Sequence, residues 1–195
     1  MDFIRNFPMC SVVLSLFSGV LCTMLPGKKA RIYTILYESM LIAMAAAVLW
    51  YTMHTGTSFT YVMGEFPAPW GNELRAGTLE SAVALMFMCV MLCSVLAGRR
   101  YVDKDIDESK VNLYYAILNL MTAALMAMSW TNDIFSGYVF LEILTLTSCG
   151  ILIVREIGSS TRAAVRYLFL NLVGSGLFLF GVVLMYEITG NLLMV

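Results

Sequence analysis

The chain has 195 residues, of which 60% are hydrophobic and only 13% charged, with a mean hydropathy of +0.82. A soluble domain carries about 25% charged residues, so this composition is that of an integral membrane protein, and the apolar content excludes disorder. Twelve Lys/Arg against 13 Asp/Glu exclude a nucleic-acid binder, which needs a concentrated positive footprint. One histidine and five scattered cysteines supply neither a zinc cage nor a disulfide framework, so no metal and no cofactor is expected.

A bilayer core about 30 Å thick takes roughly 20 apolar residues per helix. Six segments qualify: 8–25, 32–54, 79–98, 111–130, 133–153 and 165–187. The fold class expected is all-α, a polytopic transmembrane bundle forming a single domain over 1–195. Span 1 is expected to be retained rather than cleaved: Leu21 before Cys22 fits a lipoprotein site poorly, and the chain begins at Met1. Pro8 and Pro26 bracket this span, and Ser11, Ser15, Gly19 and Thr23 form an i, i+4 stripe of small residues. Helices in lipid associate through close packing of such residues, so the stripe reads as a contact face.

Glu38 of span 2 is an intramembrane acid two turns from one end of its span, with Thr34 and Arg31 below it on the same face. It is expected to snorkel or pair locally, and is a possible second acid of an ion path. His54 ends the span and reads as interfacial. The segment from Thr55 to Thr78 is too long for a simple turn; its Phe59, Tyr61, Phe66 and Trp70, with Gly64 and Gly71, suggest an aromatic lid on the membrane surface. Glu80 opens span 3 at the interface. Cys89 and Cys93 stand at i, i+4 within it and read as buried small hydrophobes. Residues 99–110 read as a solvated connector.

Span 4 carries Asn112, Tyr115, Asn119, Thr122 and Ser129 on one face. A polar stripe on a membrane helix must face protein or water. Span 5 has Tyr138, Glu142, Thr145 and Cys149, and span 6 adds Tyr167, Asn171 and Ser175. The expectation is that these three faces line one shared interior, either a hydrated ion path or a hydrogen-bonded core. Asp133 is expected to cap span 5. Glu142 lies about ten residues into its span, near the bilayer midplane at roughly 1.5 Å per residue. A carboxylate there costs on the order of 2.5–3.5 kcal/mol, so it needs a partner, water or a proton. It reads as a proton-exchanging group, with an interhelical hydrogen bond as the plainer alternative. Gly174, Ser175, Gly176 and Gly181 of span 6 read as a second contact face.

Lys28, Lys29, Arg31, Arg99, Arg100, Lys104, Lys110, Arg155, Arg162 and Arg166 fall after spans 1, 3 and 5; only Arg5 and Arg75 fall on the other side. By the positive-inside rule the first set is cytoplasmic, both termini face outward, and the location is the cell membrane.

Three stretches in order carry a family resemblance. Thr131-Asn132-Asp133-Ile134-Phe135 running into Tyr138-Val139-Phe140-Leu141-Glu142-Ile143-Leu144 is the strongest; Gly64-Glu65-Phe66-Pro67-Ala68-Pro69-Trp70-Gly71 is the second. Ala164-Val165-Arg166-Tyr167-Leu168 with Gly174-Ser175-Gly176 and Tyr186-Glu187-Ile188-Thr189-Gly190 is the third. Together they resemble the antiporter-like subunits of respiratory complex I, membrane-bound hydrogenases and Mrp-type sodium/proton antiporters, nearer the Mrp and hydrogenase type. The resemblance implies redox- or gradient-coupled cation translocation. Glu142 matches the family's essential helix-5 glutamate, and Arg166 stands where the family often has a basic residue before a tyrosine. Asn119 and Thr145 join these as candidate path residues.

The chain matches only the N-terminal half of such a subunit, helices 1–6, and departs from the family at Gly77 and Glu80. The broken helix 7, its lysine and the second repeat are absent, and no lysine lies inside a span. The resemblance therefore implies a membrane subunit that carries protons, with sodium as a second ion, beside other membrane subunits, one of which supplies the later helices. Alternatives are a non-conducting structural or assembly subunit of such a complex, or a freestanding membrane sensor or enzyme. No nucleophile–base pair supports catalysis by the chain itself.

Overall fold

The computed structural model describes residues 2–63 and 71–194. In chain order its elements are α1 (Asp2–Arg5), α2 (Phe7–Met24), α3 (Gly27–Thr55), β1 (Phe59–Val62), β2 (Glu73–Ala76) and α4 (Thr78–Asp105). A 3₁₀ turn (Glu108–Lys110), α5 (Val111–Trp130), α6 (Ile134–Ile153) and α7 (Gly158–Thr189) follow. Helices α2 to α7 are all long and apolar enough to cross a bilayer. Pro8 lies in the first turn of α2, where its missing N–H has no intrahelical partner to lose. Pro26 is the extended N-cap of α3.

Several helices run past the roughly 20 residues a bilayer needs: α3 has 29, α4 has 28 and α7 has 32. Lys28, Lys29 and Arg31 thus ride on the first turns of α3, and Arg99, Arg100 and Lys104 on the last turns of α4. The connector expected over 99–110 shrinks to the stretch after Asp105. Ion pairs gather this end: Arg31 to Asp103 at 2.8 Å, Arg155 to Asp105 at 2.8 Å, and Lys110 to Glu156.

Helix α5 is the centre of the bundle. It packs on α2, α3, α4 and α6, whereas α7 packs chiefly on α6. Contact with α2 is close because Gly19 leaves room: a Cβ there would lie 2.9 Å from Leu120 Cδ2 and 3.4 Å from the Ala116 carbonyl. The α2 contact stripe is Ser11, Ser15, Ser18, Gly19 and Cys22, while Thr23 turns outward and bonds its own helix. In α7, Gly174, Gly176 and Gly181 face open space and only Ser175 of the expected contact face is buried. Cys89 and Cys93 are exposed: the buried stripe of α4 is Ser81, Ala84, Met88, Met91 and Val95, which turns both thiols away from the bundle.

At the opposite end, β1 and β2 form an antiparallel hairpin pairing Phe59 with Ala76 and Val62 with Glu73. Leu74 bridges Thr131, and Asp133 bridges Leu193, so the strand-like entry to α6 is held between the hairpin and the chain's last residues. Phe59 is buried and meets Tyr51 edge-on. Phe66 and Trp70 of the expected aromatic lid, with Gly64, lie outside the described residues.

Candidate functional site

Two polar arrays occupy the bundle, one buried and one half-buried. The first lies among α2, α3 and α5. Asn119 is fully buried, and its Nδ2 donates to Ser18 Oγ (2.9 Å), Cys22 Sγ (3.1 Å) and Thr34 Oγ1 (3.2 Å). One turn on, Thr122 Oγ1 donates to Glu38 Oε1 at 2.8 Å. Tyr37 OH donates to Ser15 Oγ, and Asn112 Nδ2 reaches the Thr23 carbonyl at 3.1 Å. Glu38 Oε2, Asn119 Oδ1 and Tyr115 OH are buried without a hydrogen-bond partner. Orphaned polar atoms in a low-dielectric interior are costly, so three in one array mark it as more than packing.

Glu38 therefore neither snorkels nor pairs with Arg31. It is 0% exposed, and Arg31 is held by Asp103. The reason is length: α3 begins at Gly27, which puts Glu38 eleven residues in, about 16 Å along the axis, opposite the middle of α5.

The second array lies between α6 and α7. Asp133 caps α6 by accepting from Phe135 N at 2.8 Å and from Ser136 Oγ at 3.1 Å. Glu142 is half-buried, with Oε1 buried and unpartnered. The Tyr138 hydroxyl stands beside both Glu142 and Ser175, and the Tyr138 ring stacks on Phe178 at 6.1 Å. Thr145 is buried but donates to the Glu142 carbonyl at 2.9 Å, within its own helix. Arg166 is exposed and, among the described residues, makes no ion pair with Glu142 or another acid.

The single interior expected for spans 4, 5 and 6 is thus two. The polar stripe of α5 faces α2 and α3, because the small residues of α2 approach it closely and offer oxygens and sulfur to bond. Helix α6 meets a different face of α5, where Gly150 admits Ile117 at 3.3 Å from where a Cβ would sit. Asn119 and Glu38 are brought together; Glu142 and Thr145 belong to the other array. Sequence reasoning missed Ser18, Cys22 and Tyr37 as members of the first array, although Thr34 and Arg31 on the Glu38 face were legible. Among the described residues, no three His, Cys, Asp or Glu side chains cluster as a metal would require.

A model of the transmembrane family "NADH:quinone oxidoreductase/Mrp antiporter" matches residues 131–195. A Na(+)/H(+) antiporter subunit of Bacillus subtilis (strain 168) is 26% identical over 190 residues, 96% of this chain. An NADH-quinone oxidoreductase subunit of Desulforudis audaxviator (strain MP104C) is 28% identical over 190 residues, also 96% of this chain. The chain is a relative of the antiporter-like membrane subunits. It spans 38% of the length of those two curated relatives. The fold agrees: a chain in the structure of the Mrp complex from Dietzia sp. DQ12-45-1b superposes with a TM-score of 0.85, covering 99% of this chain and 36% of that one at 19% identity. Within this chain, the family match includes the capped start of α6, Glu142 and all of α7.

Proposed function

We propose that this chain is the N-terminal part, helices 1–6, of an antiporter-like subunit in a multi-subunit ion-translocating complex of the cell membrane. The complex is of the Mrp cation/proton antiporter type or a redox-driven pump akin to complex I or a membrane-bound hydrogenase. Glu142 is its proton- or cation-exchanging group, with Asn119, Thr145 and Arg166 as candidate path residues and both termini outward. The observation that carries this reading is the buried, unpartnered Oε1 of Glu142 on α6, inside the matched stretch. An intramembrane carboxyl with one oxygen buried and unpartnered needs water, a proton or a cation there. Tyr138 and Ser175 stand beside it at a helix pair of which α7 is otherwise uncovered, a place where a further chain can complete the site.

A second reading, a scaffold that does not conduct, is favoured by the missing cation: within this chain no basic side chain pairs with Glu142 among the described residues. Native purification in mild detergent, combined with Glu142→Gln in the assembled complex, separates the two. A conducting role requires that a chain bearing later helices co-purify and that the substitution abolish cation/proton exchange while assembly persists. Normal exchange with Glu142→Gln leaves the scaffold reading standing.

A further inference from the structure

Helices α3 and α5 both start at the charged end and run in the same direction, and their polar residues meet in register. Arg31, Thr34 and Glu38 stand at i, i+3 and i+7 on α3; Tyr115, Asn119 and Thr122 stand at i, i+4 and i+7 on α5. They form three rungs. The Arg31 guanidinium lies beside the Tyr115 hydroxyl, Thr34 accepts from Asn119, and Glu38 accepts from Thr122. From the first rung to the third the rise is about 10 Å. The outer rung opens on a cleft of about 320 Å³ lined by Gly27, Lys28, Arg31, Asp103, Glu108 and Val111. Arg31 is one of its walls, with its side chain 11% exposed and paired to the half-exposed Asp103.

We propose that Glu38 is a proton-binding site loaded from this cleft, through Tyr115 and the Asn119–Thr34 rung, separately from Glu142.

Each rung keeps one oxygen free for the purpose. Tyr115 OH, Asn119 Oδ1 and Glu38 Oε2 are all buried and unpartnered, on residues that are at most 1% exposed. A buried water is held by two to four such polar groups. The proton comes from bulk water in the cleft, passes along hydroxyl groups and inserted water, and ends on Oε2, turning the carboxylate into the neutral acid. The reverse transfer returns it to the same cleft. Among the described residues, no ion pair is made to Glu38 that would replace the proton as counter-ion. From α2 the facing groups are Ser15, Ser18 and Cys22; from α5, Tyr115, Asn119 and Thr122. The buried stripe of α4 opposite is Ser81 and apolar residues, its Asp103 being engaged by Arg31. On α3 itself, Tyr37 is tied to Ser15. Among the described residues the array therefore has one carboxyl, Glu38, at its inner end, with Lys28 and Arg31 at the cleft, an arrangement that favours a proton over a metal ion at the inner end. This inference does not rest on the reading of Glu142, which lies in the other array.

The test is infrared difference spectroscopy of the full chain in lipid vesicles as pH is stepped, reading the carbonyl stretch of protonated carboxyls. A pH-dependent band lost in Glu38→Gln and kept in Glu142→Gln is the expected result. Tyr115→Phe, which removes only the hydroxyl, is expected to retain the band but slow its rise after a pH jump by about ten-fold or more. Should Glu38→Gln fail to fold, Thr122→Val serves instead, since loss of its hydroxyl shifts the band frequency only if the band belongs to Glu38. A band unchanged by either substitution, or a Glu38 band that does not respond to pH, overturns the site. An unaltered rate in Tyr115→Phe overturns the route.

Discussion

Asn119 on α5 ties three helices together through a single amide nitrogen, which donates toward Ser18 and Cys22 of α2 and Thr34 of α3. In a bilayer an interhelical hydrogen bond contributes about 0.6 kcal/mol on average and up to about 1.7, so Asn119→Ala should cost about 1–2 kcal/mol. Unfolding of the chain in micelles, followed by helical circular dichroism, measures this; a loss within experimental error would mean that the polar array holds nothing together. The residue types were legible in the sequence: a polar stripe on span 4 must meet protein or water, and it meets protein. The partner was not legible, because which of several small-residue helices approaches that stripe depends on packing that spacing along one helix does not encode. Glu38 shows the same limit from another side. Its depth follows from where α3 starts, and the helix begins at Gly27, not near 32, because an amphipathic charged turn can extend a helix beyond the hydrocarbon.

At the scale of elements, the contact between α2 and α5 is set by Gly19, and it predicts a contrast among glycines. A Cβ at Gly19 meets Leu120, which can shift, and then the Ala116 carbonyl, which cannot. Overpacking of this kind costs about 1–3 kcal/mol, so Gly19→Leu should destabilise the chain by at least the middle of that range. Gly174→Ala and Gly181→Ala, with nothing within 4 Å, should leave the isolated chain unchanged or slightly firmer in its helix. The same denaturation assay reads all three, and equal effects would show that α2 does not approach α5 as described. If a further chain covers α7 in the complex, Gly174→Ala should instead weaken co-purification. Small residues on span 1 were legible as a contact face. The hairpin was not: Phe59-Thr60-Tyr61-Val62 has strand-forming residues, but four residues at a membrane surface read equally as part of a lid, and only pairing with Glu73–Ala76 decides between them.

For the molecule as a whole, the distribution of charge fixes what the two arrays can do. Ten of the twelve basic residues belong to connections and helix ends that the Arg31–Asp103, Arg155–Asp105 and Lys110–Glu156 pairs draw to one face. The hairpin, Arg5 and Arg75 take the other. Such asymmetry orients membrane proteins with the basic face in the cytoplasm, so a cysteine at Arg100→Cys in a chain cleared of its own exposed thiols should resist a membrane-impermeant maleimide applied to intact cells. Thr60→Cys, on the hairpin, should react. Because the cleft over Arg31 lies on the basic face, that result makes the cytoplasm the compartment that supplies Glu38. The opposite labelling pattern would invert the chain, put the cleft outside, and require Glu38 to draw its proton from the external medium. In either case the Tyr115→Phe kinetics should depend on the pH of the compartment facing Arg31 and be indifferent to the pH on the hairpin side, since the rungs run from the cleft over Arg31 to Glu38.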